Sequence, residues 1–403
     1  MSTPHRRAEI MMPSRLPSGF AAATAKVGIR RGAGDDLLLL VADRPCAAAA
    51  VFTRNRFAAA PIIRSRRHLA TSGGVARALL LNAGCANAAT GDRGERDAAS
   101  SVRCVADAVG CPVDQVLVNS TGVIGRPLPI ESMGAAIPRL AQATRIDHVD
   151  ATARAIMTTD SAPKAVERTV PAANGGVIRI VGVAKGSGMV HPDLATMIGL
   201  VLTDAEVETT TLASLLRDSA DRSFNRVSVD GDTSTNDSVF ALASGAAGAA
   251  ADPNDFADAV GSACLELARM IVADGEGASR VLEVEVTSAA TSEEAREVAR
   301  TVGSSLLVRT AVAGGDPNWG RIIAAIGRTS ARFEPDRIRV EANLVPLFAD
   351  GGPVKDLDHA AARAFASERV QIRIDLDAGD ARDTHLTCDL TAEYVRINAD
   401  YTT

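Results

Sequence analysis

Several short runs of consecutive apolar residues constrain the fold of this chain more than any other feature. Asp36-Leu37-Leu38-Leu39-Leu40-Val41 is one; Ala78-Leu79-Leu80-Leu81 and Gln115-Val116-Leu117-Val118 are two more. Each is short and bounded by turn residues, so each reads as a strand buried on both faces. Met197 to Leu202 is a further apolar run. Helical patterns lie between them: Ser100 to Val109, Thr209 to Arg222, and the stripe Val260, Cys264, Leu267, Ala268 and Ile271, which Gly275 closes as a C-cap. Ile178-Arg179-Ile180 alternates, as do Glu283-Val284-Glu285-Val286, and Val370, Ile372, Ile374 and Leu376 share one strand face. Asp389 is placed to cap a last helix with Leu390, Tyr394 and Ile397 on its apolar face. Residues 1–18, polar and proline-bearing, read as a loose lead-in. Strands and helices alternate irregularly, which predicts a mixed α/β protein with no simple doubly wound order.

Charge and composition narrow the function. Lys and Arg number 43 against 49 Asp and Glu, a net charge of −6. Nucleic acids and anionic membranes need a basic surface, so neither is expected as a partner. Aromatics at 3% are too few for base-stacking platforms. No apolar run reaches 18 residues and the N-terminus lacks an apolar h-region, so cytoplasmic residence is expected. The six cysteines form no C-x-x-C pair, and the six scattered histidines form no H-E-x-x-H, so no metal site is expected. An enzyme or a small-ligand binder remains.

Three local motifs lead nowhere. In Lys185-Gly186-Ser187-Gly188 the lysine precedes the glycines instead of closing a phosphate loop. Asp230-Gly231-Asp232 with Ser234 is similar to a calcium loop, but position 12 is Ala241. Ser161-Ala162-Pro163-Lys164 matches S-x-x-K without its S-D-N and K-T-G partners. Thr196 carries the argument instead. It stands where a Gly- and Pro-bearing loop meets an apolar strand. A threonine hydroxyl becomes a competent nucleophile without histidine when it heads a chain, because its own α-amine then serves as base. That requires cleavage between Ala195 and Thr196, which the hydroxyl can itself start by an N-to-O acyl shift. The plain alternative is a threonine that merely begins a strand.

Lys185 to Met197 resembles the nucleophile segment of the ornithine acetyltransferase (glutamate N-acetyltransferase) family of arginine biosynthesis. The likeness extends along the chain in family order. It includes Phe52-Thr53-Arg54-Asn55, Ser120-Thr121-Gly122-Val123-Ile124-Gly125, Thr158-Thr159-Asp160, Val229 to Asp237, Asp274-Gly275-Glu276-Gly277, Asp316-Pro317-Asn318-Trp319-Gly320-Arg321 and Ile397-Asn398-Ala399-Asp400-Tyr401 through Thr403. Departures fall at Cys85, at Arg328-Thr329-Ser330 and across Gly351 to His359.

The resemblance implies a fold and a site. The fold is an α/β protein: an α-β-β-α sandwich of N-terminal-nucleophile type with a smaller α/β domain. Residues 1–195 would be an alpha chain after self-cleavage. Residues 196–280 would begin the beta chain and complete the sandwich, and 281–403 would form the smaller domain and a tail returning to the site. Thr196 would be nucleophile, Thr121 and Gly122 the oxyanion hole, and Thr159, Lys185, Thr196, Glu276, Asn398 and Thr403 the substrate contacts. The implied reaction moves acetyl from N-acetylornithine to glutamate through an acetyl-Thr196 ester. No cofactor is implied, although acetyl-CoA is a possible co-substrate. The implied assembly holds two alpha and two beta chains. Two rivals stay open: a threonine-nucleophile amidohydrolase or aminopeptidase, and a non-catalytic amino-acid-binding protein.

Overall fold

The structure, a computed structural model, describes residues 12–191 and 197–400. The first layer contains strands β1 (Phe20–Ala25), β2 (Leu37–Phe52), β3 (Val75–Cys85) and β4 (Val116–Val123). Helices α1 (Ala60–Thr71), α2 (Gly91–Val109), α3 (Ile130–Gln142) and α4 (Val149–Ala155) belong to the same stretch of chain. The second layer contains β5 (Lys164–Pro171), β6 (Val177–Lys185) and β7 (Ile198–Ala205). After the two-residue β8 (Val227–Ser228), which joins a different sheet, β9 (Ser238–Gly248) completes it. Helices α5 (Thr209–Asp221) and α6 (Pro253–Ala273) cover its outer side.

All these strands except β8 form one hydrogen-bonded sheet that folds over at β2. The first part of β2 pairs with β1 and β3; beyond a register shift between Val41 and Cys46, its second part pairs with β9. The run Leu37 to Leu40 shows why the result has four layers. Leu37 and Leu39 face α2 and α3, against Val102, Val105, Met133 and Ile137. Leu38 and Leu40 face inward and share a core with Val181, Val183, Leu200, Leu202, Phe240 and Leu242 of the second layer. The opposite faces of that layer, with Ile180, Val201 and Ala241, meet Leu212, Leu216, Cys264 and Leu267 of α5 and α6. Every residue of the leucine run is buried because a sheet side chain meets either helices or the other sheet. The expected α-β-β-α sandwich is thereby present.

A second sheet has the order β13-β12-β11-β14-β10-β15-β8. Its strands are β10 (Val281–Ala289), β11 (Arg339–Ala342), β12 (Val345–Ala349), β13 (Gly352–Pro353), β14 (Arg369–Asp375) and β15 (Ala381–Cys388). Leu282, Val284 and Val286 pack one face onto helices α7 (Ser292–Gly303), α8 (Leu306–Gly314), α9 (Trp319–Ile326) and α10 (Asp358–Phe365). Glu283 and Glu285 lie on the other face, where Arg269 and Arg373 approach them. The edge strand β8 comes from the stretch of chain between α5 and β9 of the sandwich and pairs in parallel with β15, Val227 opposite Leu386.

Three local expectations are corrected. The lead-in is docked from Met12 onward: Leu16 is buried in the inter-sheet core and its N–H donates to Ile146 O at 2.8 Å. Gly275 is not the cap of α6; Asp274 holds that position in an ordinary negative-φ conformation. Asp389 does not cap the last helix. Its carboxylate accepts from Ser279 N at 2.8 Å and Arg280 N at 3.0 Å, pinning the entry to β10. The last helix, α11 (Ala392–Asp400), starts with Thr391 Oγ1 accepting from Glu393 N, and none of its residues is buried. It has no core face because it lies over a cavity.

Candidate active site

Strand ends make that cavity. The C-terminal ends of β4 and β6, the loop before β9 and helix α11 surround a space of about 550 Å³. Thr121, Gly122, Thr159, Lys185, Glu276 and Asn398 all line it. Residues from both layers of the sandwich and from the C-terminal helix therefore meet in one place. Ala195, Thr196 and Thr403 lie outside the described residues. The described chain resumes at Met197, whose N–H donates to Asp237 Oδ1 at 3.1 Å and whose carbonyl accepts from Ser238 N. The next residue, Ile198, is paired with Lys185 in the β6–β7 ladder.

Thr121 and Gly122 owe their position to a close approach of two backbones. Around Gly84 and Cys85 the parallel pairing of β3 with β4 is irregular, two residues of β4 answering Cys85. Gly122 adopts φ +129°, and a Cβ there would lie 2.3 Å from the carbonyl carbon of Gly84. Only glycine fits such a contact. Buried amides hold the strand end from behind. Asn236 Nδ2 donates to Ala86 O (2.7 Å) and Ser120 O (2.8 Å), and Asn119 Nδ2 donates to Asn236 O. Ser120 Oγ donates to Asn82 Oδ1 at 2.6 Å. Satisfied buried networks of this kind fix one geometry, because each alternative leaves a polar group without a partner.

Lys185 ends β6 fully buried, and its Nζ donates to Thr121 Oγ1 at 3.2 Å. Burial pushes its pKa down; Asp160 raises it, Lys164 lowers it further, and Asp237 and Glu276 also oppose the fall. Beneath it, Lys164 Nζ sits 2.7 Å from both Asp160 Oδ1 and Asp274 Oδ2. The S-x-x-K stretch is thus a strut: Lys164 is its anchor, and Ser161 N donates to Asp274 Oδ2. Asp160 also accepts from Gly186 N at 2.7 Å and Thr158 N at 3.0 Å, tying Lys185 and Thr159 to one carboxylate.

Burial would raise the pKa of Asp160, but Lys164, Lys185 and the hydrogen bonds outweigh it and hold it down at about 2. The folded value lies below the unfolded one, so this carboxylate stabilises the fold above about pH 4. That contribution, on the order of 2 kcal/mol, fades as pH falls toward 2. Urea unfolding of wild type and Asp160→Asn should therefore differ most at neutral pH and converge only as pH falls from about 4 toward 2. A pH-independent difference would show that Asp160 acts through shape alone.

Glu276 follows the strut directly. Its N–H donates to Ser187 O at 3.0 Å, and its Oε2 accepts from Asn398 Nδ2 at 2.9 Å. Gly188 is the neighbour that permits this: a Cβ there would fall 2.5 Å from the Glu276 carboxyl. Gly188→Ala must displace that carboxylate while leaving the core untouched. We expect KM for a cationic substrate to rise about tenfold or more, the scale of one weakened charge-assisted bond, with unfolding little changed. An unaltered KM would remove Glu276 from the substrate contacts.

The rest of the lining was not assigned from the sequence. Asp230 does not present a calcium loop; its carboxylate accepts from Met189 N and Val190 N. Asp237 is fully buried, and burial pushes its pKa well up against the pull of Ser234 N–H, Lys185 and Met197 N–H. Tyr394 lines the cavity with its pKa pushed up to about 12, by burial first and then by Asp230, Glu276 and Asp232. The signal available beforehand was density: Asp230 to Asp237 is an almost wholly polar run in a chain that is 46% hydrophobic.

The site has one buried ammonium, a carboxylate group on another side, and a hydroxyl and a glycine between strand ends. A family model described as the ArgJ family matches residues 21–403, which include every described residue named above as lining the cavity. The chain belongs to the ArgJ family. It is 46% identical over 392 residues to the "Arginine biosynthesis bifunctional protein ArgJ" of Nitratidesulfovibrio vulgaris, covering 96% of this chain and 99% of that one. With the protein of the same name from Thermus thermophilus it shares 45% identity over 393 residues, covering 97% and 100%. A solved chain titled as arginine biosynthesis bifunctional protein argJ from Bacillus halodurans is 39% identical, with a TM-score of 0.48, covering 50% of this chain and 98% of that one. Among the described residues, no helix of this ArgJ-family chain is long and apolar enough to cross a membrane.

Proposed function

We propose that this ArgJ-family enzyme is a glutamate N-acetyltransferase of arginine biosynthesis, acting through an acetyl ester on Thr196 after self-cleavage between Ala195 and Thr196. One observation carries the reading: Lys185 Nζ donates to Thr121 Oγ1 at the end of the strand whose ladder partner begins just after residue 196. A threonine hydroxyl that accepts from a lysine keeps its own proton free to donate. Thr121 Oγ1 and the Gly122 N–H then supply two donors for an oxyanion. In comparable sites the loss of one such donor lowers kcat about 10²–10³-fold.

The charges suit N-acetylornithine. Its α-carboxylate is separated from the acetylated nitrogen by a single carbon, so a cation is needed beside the oxyanion hole, where Lys185 lies. Its side-chain ammonium is farther out, where Glu276 is held by Asn398, with Asp230 and Asp232 on the same lining. Thr159 and Thr403 complete the contacts. The Thr196 α-amine takes the hydroxyl proton, and Oγ attacks the acetyl carbonyl. The C–N bond breaks and ornithine leaves with that proton. The α-amine of glutamate then attacks the ester, releasing N-acetylglutamate and restoring the hydroxyl. No cofactor takes part, and acetyl-CoA is a second candidate donor for the same ester. The two chains from each precursor stay together in a cytoplasmic assembly of two alpha and two beta chains.

Intact mass of the denatured protein tests this. N-acetylornithine should add one acetyl group to the fragment beginning at Thr196, and glutamate should remove it as N-acetylglutamate. Acetate released at the same rate without glutamate would make the enzyme a hydrolase. Ornithine binding by a chain that stays whole and takes no acetyl group would make it a binding protein. Acetyl-CoA in place of N-acetylornithine decides the second donor, and sedimentation decides the assembly.

A further inference from the structure

A separate cavity of about 100 Å³ lies at the seam between the sandwich and the second sheet. Asp221 at the end of α5 and Arg226 just before β8 form one wall. Arg296 and Arg300 of α7 and His385 of β15 form the other. Arg226 pairs with Asp383, and Arg296 donates to Asp383 Oδ2 at 3.2 Å and to Asp221 Oδ2 at 3.0 Å. Two carboxylates thus answer two guanidiniums. Arg300 makes no ion pair among the described residues, so the cavity keeps a surplus positive charge.

The second observation is independent of that charge. His385 is 3% exposed, and its Nε2 is buried without a hydrogen-bond partner among the described residues. Gly303 admits the ring, since a Cβ there would lie 2.5 Å from His385 Cδ2. Burial first, then His191, Arg300, Arg309 and Arg226, push its pKa down to about 3. The imidazole is therefore neutral and has one N–H to offer an acceptor. An unmatched donor beside unmatched positive charge is an incomplete anion site.

We propose that this cavity binds one small tetrahedral oxyanion of the phosphate class, held by Arg226, Arg296 and Arg300 with His385 in its wall, and that the bound anion ties the sandwich and the second sheet together. The planar guanidinium fork matches such an oxyanion better than an ammonium would. The anion is either free inorganic phosphate or the phosphate end of a monoester whose remainder lies outside. The site is separate from the acetyl-transfer cavity and does not rest on that reading.

Titration calorimetry and thermal unfolding of the full-length protein, with inorganic phosphate against chloride at matched ionic strength, test this. One saturable phosphate per chain and a raised Tm are expected. Arg300→Ala, at an exposed residue of α7, should weaken binding at least tenfold while leaving acetyl transfer and the Tm in chloride unchanged. Arg363→Ala, an exposed arginine of α10, should bind as wild type. Equal binding of glycerol phosphate would identify the monoester end, and binding of inorganic phosphate alone the free anion. No saturable binding, or the same loss in Arg363→Ala as in Arg300→Ala, would overturn the proposal.

Discussion

Thr196→Ala should leave one intact 41.7 kDa chain and lower acetyl transfer by about 10⁴-fold or more, the scale seen when a covalent nucleophile is removed. Both effects come from one atom. In the proposed mechanism Oγ starts the acyl shift that cuts the chain, and the same Oγ later carries the acetyl group. The α-amine that serves as base exists only after the cut. Wild type should therefore appear on denaturing mass analysis as chains of 195 and 208 residues, the second beginning at Thr196. Thr196→Ser should keep both steps at altered rates, since it retains a hydroxyl next to the future amine. A wild-type chain that stays whole yet transfers acetyl at full rate would sink the N-terminal-nucleophile mechanism.

The second large effect belongs to Gly122→Ala. Its Cβ would have to sit 2.3 Å from a backbone carbon of Gly84, at a φ of +129° that side chains rarely adopt. Neither strand can yield cheaply, because the obstacle is backbone and Asn236 binds the same strand end from behind. Backbone strain and overpacking together should cost about 3–5 kcal/mol. The displaced N–H should also lower kcat by about 10²–10³-fold while leaving KM for N-acetylornithine near its wild-type value. Gly125→Ala is the matched control. It also has a positive φ, +80°, but a Cβ there meets nothing within 4 Å. It should lose only the strain, about 1 kcal/mol, and keep its activity. If the two alanines behave alike in unfolding and turnover, the Gly84–Gly122 contact does not build the oxyanion hole.

These two variants differ in how their residues were legible. Thr196 was singled out by a chemical argument about a hydroxyl at a loop–strand junction, to which blocks of resemblance along the chain were added. Gly122 was named from one such block, but its obligatory glycine follows only from the contact with Gly84. The strut beneath the site was read less well. Lys164 was visible only as the end of an unexplained S-x-x-K, and Asp274 only as part of a matched block. Their pairing across 110 positions is a tertiary fact. Asp389 shows the opposite error: a carboxylate ahead of a helix looked like its cap, yet it binds Ser279 and Arg280, 110 and 109 positions away.

The sequence by itself determined several of the strands and helices and that Leu37 to Leu40 must be covered on both faces. Those properties repeat every second or every third to fourth residue, so they are written locally. The tertiary structure alone decided that Thr121, Lys185, Glu276 and Asn398 share one cavity, that Asp237 holds Met197 from the start of the neighbouring strand, and that Arg226, Arg300 and His385 line a second. Such meetings depend on how β2 bends the sheet over and how β8 docks onto β15. No local period encodes them, because each is set by the packing of whole layers whose residues lie far apart along the chain.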